Sequence, residues 1–127
     1  MEQTKYMLTE KEIPTAWYNI QADLPEPLPP PKDPDSGPSR VAQLPNLLIR
    51  TCLGQEMSTE RWIPIPEDLR RLYLRAGRPR PLFRAVGLEK ALGTPARLYY
   101  KGEFYSPTGS HKVNTALAQA YYAREEG

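Results

Sequence analysis

The chain has 127 residues, enough for one ordinary domain, and 39% of them are hydrophobic. A net charge of +2 with 25% charged residues gives no electrostatic ground for a nucleic-acid or membrane surface, and Cys52, the single cysteine, excludes an intrachain disulfide or a cysteine metal cluster. No early apolar run reads as a secretion signal or a membrane span, so the expectation is a cytoplasmic protein with no metal site and no membrane partner.

Residues 5–8, "KYML", suit a short strand, and Ile13, Trp17, Tyr18 and Ile20 supply apolar anchors for packing. Nine of the fifteen prolines fall before residue 47, seven of them between Asp23 and Pro38. Proline fixes φ, donates no backbone hydrogen bond and keeps its predecessor out of the helical region, so "DLPEPLPPPKDPDSGP" is expected to be an extended arm or linker. The chain therefore divides into an arm over 1–46 and a second part over 47–127. In that second part Asn46 is placed to cap a helix through "LLIRTCL", Gly54 to stop it, and "STERWIPIP" to run extended.

A stronger helix signal is "PEDLRRLYLRAG": Pro66 suits a first helical position, Glu67 and Asp68 complement the dipole, and Gly77 ends the run. Leu69, Leu72, Tyr73 and Ala76 fall on one face, with arginines 70, 71 and 75 on a solvated one. Residues 82–92 are expected to form a second helix closed by Gly93, with Leu82, Ala85, Val86 and Leu92 on its buried side. "ARLYYKGEFY" reads as a strand from Arg97 to Lys101 that turns at Gly102, and a third helix follows from Ser110 with Val113, Ala116, Leu117, Ala120 and Tyr121 on its apolar side. The order predicts α/β architecture with an incomplete sheet, its strand feeding a helix across a glycine turn.

That turn, "SPTGSHKVNTA" (106–116), holds the only histidine, followed by a lysine. Lys112 falls in the first turn of the predicted helix, where the positive dipole end disfavours a further cation and favours the neutral amine, the form that attacks an aldehyde. The amides of the same turn attract phosphate, with Thr108, Ser110 and His111 as further donors. Such a turn can hold both ends of a phosphorylated aldehyde, which describes pyridoxal 5'-phosphate. On these residues alone a plain helix start remains the alternative.

The stretch "SPTGSHKVNTA" resembles the lysine motif of fold-type II pyridoxal-phosphate enzymes, and its histidine-before-lysine form resembles the tryptophan synthase beta family. "EIPTAWYNIQADLPEPLPPP", "STERWIPIPEDLR", "RPRPLFRAVGLEKALGTPARLYYK" and "AQAYYAREEG" are similar to the longer-armed second form of that family, so the resemblance covers nearly the whole chain. It implies that Lys112 holds the cofactor and removes the serine Cα proton, that His111 touches the phosphate, and that Ser110 and Asn114 support ring or phosphate. It implies L-serine and indole as substrates, L-tryptophan as product, a homodimer at full length and an alpha chain as a possible partner. Phe104 and Tyr105 stand where the family has smaller residues and Val113 where the second form often has proline, which bears on the shape of the pocket mouth. The family's further active-site segments have no counterpart in this sequence, so the chain is expected to be the amino-terminal part of a longer enzyme and inactive by itself.

Three other readings compete. A serine or threonine dehydratase or a threonine synthase would use a similar lysine turn, although His111 and the proline arm favour the synthase. A proline-rich interaction module would dock "LPEPLPPP" as a polyproline helix. The alternating aromatics and basics of "RLYYKGEFY" would suit base stacking, against which the small net charge counts.

Overall fold

The computed structural model describes residues 2–29, 32–35 and 37–127. Among the described residues the chain runs through five short strands and five α-helices: β1 (Lys5–Tyr6), β2 (Ala16–Tyr18), α1 (Leu44–Leu47), α2 (Arg50–Glu56), β3 (Trp62–Pro64), α3 (Glu67–Arg75), β4 (Leu82–Arg84), α4 (Val86–Leu92), β5 (Tyr99–Lys101) and α5 (Lys112–Glu126). Among the described residues the strands form two small antiparallel sheets, one ordered β1-β4-β5 and one pairing β2 with β3. The architecture is mixed α/β with incomplete sheets, as expected, but no described pair is parallel.

The core lies where α3 and α5 cross beside the second sheet. Ile65, Leu69, Tyr73 and Tyr122 are buried there, with Trp17, Ile49, Cys52, Leu72 and Leu117 packed against them. In α3 the apolar pattern holds, with Leu69 and Tyr73 buried and Ala76 buried just beyond the helix; Arg71, ion-paired with Glu67 and Asp68, and Arg75 are exposed, but Arg70, expected on the solvated face, is half-buried. Pro66 precedes the helix, Glu67 and Asp68 occupy its first turn, and Gly77 follows it at φ 81°, a left-handed conformation that glycine adopts without steric cost.

Four further expectations are corrected. Residues 82–84 are strand rather than helix, because Phe83 pairs with Lys5 on one side and Tyr100 on the other, and helix α4 starts only at Val86. Two flanking strands satisfy backbone groups that a local helical period cannot outweigh. On α4 the buried residue is Glu89, not Leu92: its carboxylate accepts from Arg84 Nε and Nη2 and from the Leu98 amide, while Leu92 is exposed. Those bonds, above all from Arg84, hold the Glu89 carboxyl below the usual carboxylate range. Gly93 does close the helix, at φ 58°.

Near residue 46 the expected single helix is two. Asn46 lies inside α1 rather than capping it, the chain extends at Leu48, and α2 runs past Gly54 to Glu56. No side chain of its own caps α2; instead the Glu126 carboxylate accepts from the amides of Arg50 (3.0 Å) and Thr51 (2.6 Å). The apolar face of α5 is also rotated from the expected one: Tyr122 is buried with Leu117, Ala118 and Tyr121 against the core, whereas Ala116 and Ala120 are exposed. Burial of the Tyr73 and Tyr122 rings, which need a bulky seat, decides the rotation over the alanines.

Between residues 24 and 40 the described residues form no helix or strand, and the extended-arm expectation at Pro30, Pro31 and Ser36 lies outside the described residues. Beyond it, the Asp33 carboxylate accepts from the Ser39 hydroxyl and the amides of Arg40 and Val41, which starts a short helical turn at Val41–Gln43.

Candidate functional site

The lysine turn is built by a serine. Ser106 is buried, its Oγ accepts the Ser110 amide (2.8 Å) and donates to the Ser110 carbonyl (2.8 Å), and its carbonyl accepts the Gly109 amide (2.9 Å). Gly109 closes the loop at φ 64°, where a side chain would be strained. This self-bonded turn delivers the chain to α5, with His111 at the cap position and Lys112 as the first helical residue. Lys112 and His111 are both exposed, and Lys112 enters no ion pair among the described residues. The approach strand packs closely: a Cβ on Gly102 would stand 3.0 Å from Phe83 Cε2 and 3.2 Å from the Pro81 carbonyl, while Phe104 and Tyr105 lie exposed just after it.

Ser110, His111 and Lys112 are thus adjacent, but Asn114 is committed elsewhere. Its Oδ1 accepts from Arg80 Nη1 (2.9 Å), its Nδ2 donates to Glu103 Oε2 (3.1 Å), and its carbonyl accepts the Tyr73 hydroxyl (2.8 Å). Arg80 is 1% exposed and also reaches Glu103 Oε2 (3.0 Å) and the Ala76 carbonyl (2.9 Å). Burial pushes the Tyr73 hydroxyl above its ordinary range, against the opposing pull of the Arg78 guanidinium over its ring. Asn114 and Thr115 also border an open pocket of about 410 Å³ between α2, α5 and β2, lined further by Trp17, Gln55, Arg78 and Tyr122; His111 and Lys112 are not part of its lining.

For a phosphorylated aldehyde the residues fit at the amine end. Among the described residues Lys112 has no ion-pair partner and stands at a helix start, which leaves its amine free for a carbonyl. The phosphate end is thinner than the sequence suggested, because the amides of Gly109, Ser110 and Asn114 are already bonded within the turn. Open to an anion are the Ser110 hydroxyl, in a long 3.4 Å contact with the Lys112 amide, the His111 ring, and the first amides of α5 with no partner among the described residues.

Over 123 residues, 97% of its length, the chain is 60% identical to tryptophan synthase beta chain 2 of Methanothermobacter thermautotrophicus. The chain belongs to the tryptophan synthase beta family. It is 57% identical over 124 residues to the beta chain of Thermococcus gammatolerans and 60% identical over 111 residues to that of Pyrobaculum aerophilum. It spans 28%, 28% and 27% of the lengths of these three curated relatives, in the order named, and so corresponds to part of a family chain. No family model matches it.

Sequence reasoning missed three residues that shape this region of the family chain: Ser106, Arg80 and Glu103. Ser106 had a readable signal, since a serine before Pro-Thr-Gly is a frequent turn former. Arg80, set between two prolines in "RPRPL", could not be helical or solvated on a regular face, but nothing local named its partners.

Proposed function

We propose that this chain is the lysine-bearing part of a pyridoxal-phosphate-dependent tryptophan synthase beta chain of fold type II, which makes L-tryptophan and water from L-serine and indole. The observation that carries the reading is the 60% identity over 97% of the chain, running through a turn whose lysine is exposed at the first position of a helix. In this reading residues 1–46 are an arm and residues 47–127 begin the catalytic part. The whole protein is a cytoplasmic homodimer open to an alpha chain. Among the described residues no helix is long and apolar enough to cross a membrane.

When bound, pyridoxal 5'-phosphate supplies the electron sink that lets an amino acid lose its β-hydroxyl and accept a carbon nucleophile. Lys112 would hold the cofactor through its Nζ and, with that amine free, would take the proton from serine Cα. His111 and the Ser110 hydroxyl would hold its phosphate, and Asn114, through its bonds to Arg80 and Glu103, keeps the first turn of α5 in register.

The test uses the full-length protein that contains this chain, loaded with pyridoxal phosphate and given serine with and without indole. Tryptophan formed only with indole is expected, and Lys112→Ala should lower it at least 1,000-fold, the scale for loss of a covalent nucleophile. Pyruvate from serine with no tryptophan when indole is present would instead make the protein a dehydratase. The 127-residue chain alone is expected to give neither product.

A further inference from the structure

We propose that Arg80 is a positioning residue for Lys112, setting the first turn of α5 by bridging Asn114 and the Glu103 carboxylate; the proposal rests on the reading of Lys112 as the cofactor lysine. Arg80, Glu103 and Asn114 close a triangle of side-chain hydrogen bonds of 3.0, 2.9 and 3.1 Å. The Tyr73 hydroxyl adds a fourth tie, to the Asn114 carbonyl. Asn114 lies two residues beyond Lys112 in the same helical turn, so fixing it fixes where the Lys112 backbone stands while leaving Nζ unbonded.

A purely stabilising role fits Arg80 poorly. A guanidinium at 1% exposure gives up its hydration, and its Nε has no partner, so replacing Arg80 and its polar partners together by apolar side chains of similar size would cost little or no stability. What an apolar side chain cannot do is hold a carboxylate and an amide oxygen at one fixed angle, which the planar fork of arginine does. Arg80 also bonds the Ala76 carbonyl at the end of α3 and lies two residues before β4. Through it the lysine turn is referred to both the core helix and the three-stranded sheet.

The experiment takes the full-length protein freed of pyridoxal phosphate and follows, on adding it back, how fast a borohydride-reducible linkage forms. It also records the pH titration of the bound chromophore's absorption band. Each variant is assayed well below its own melting temperature, so that folded protein is compared with folded protein. Arg80→Met should slow linkage formation at least ten-fold and shift the titration midpoint, with Arg80→Lys between it and the parent. A folded Arg80→Met protein that loads at the parental rate with an unmoved titration would overturn the proposal, because a merely structural arginine would change melting alone. Should Arg80→Met not fold, Glu103→Gln decides: slowing of three-fold or more is expected, and the parental rate would overturn it. A linkage that survives in Lys112→Ala would overturn the assignment of Lys112, and the positioning role with it, whereas normal chemistry at Lys112 with an indifferent Arg80 would overturn the positioning role alone.

Discussion

The two ends of α5 are anchored by opposite means. At its start a buried arginine, a part-buried glutamate and a core tyrosine converge on Asn114 through side chains, from three separate stretches of the chain. At its end Glu126 alone reaches back to α2 and caps it by accepting two backbone amides. Directional bonds between side chains fix one arrangement, whereas a carboxylate on a helix start tolerates small shifts because charge attraction falls off slowly. The start of α5 is therefore the end at which geometry is specified, and it is also the end where Lys112 and Ser110 are left available.

This contrast is broken most severely at Asn114. Asn114→Ala removes the side-chain amide shared by Arg80 Nη1 and Glu103 Oε2, while the Tyr73 bond to the main-chain carbonyl stays, and a loss of about 2–3 kcal/mol in urea unfolding of the full-length protein is expected. Tyr73→Phe removes one hydrogen bond and keeps the packed ring, so about 1 kcal/mol should be lost at the same end.

Glu126→Gln should cost less, and its effect should depend on pH. Hydrogen bonds from Thr51 hold the Glu126 carboxyl below the usual carboxylate range. Its contribution is therefore fully present above the unfolded value of about 4.3 and is lost as pH falls through the lower folded value. The stability gap between parent and variant should close between pH 7 and about pH 3, and a gap that widened on acidification would contradict the cap. Smallest of all, Lys112→Ala should leave the unfolding midpoint within about 0.5 kcal/mol, as befits an exposed side chain with no ion pair.

How far this was legible follows the same division. Helix α3 was read correctly because its apolar period, its acidic first turn and its closing glycine all lie within twelve neighbouring residues. The lysine turn was legible for the same reason: proline, glycine and serine mark a change of direction wherever they occur together. Strand β4 was mistaken for helix because its partners, Lys5–Tyr6 and Tyr99–Lys101, lie far off in sequence and alone make residues 82–84 extended. The cap on α2 was hidden similarly, being supplied by a glutamate at the far end of α5. Asn114 was singled out as a cofactor contact, yet what the sequence could not disclose was that Arg80 and Glu103 would occupy its amide first.

Each role proposed for the lysine turn depends on Lys112 being the residue that carries the cofactor. The direct measurement is borohydride reduction of the full-length protein loaded with pyridoxal phosphate, followed by proteolysis and mass mapping of the labelled peptide. A pyridoxyl group on Lys112, in the peptide spanning "VNTALAQAYYAR" and its preceding lysine, is the predicted result. A label on any other lysine, or a reduced protein with no label at all, would contradict it.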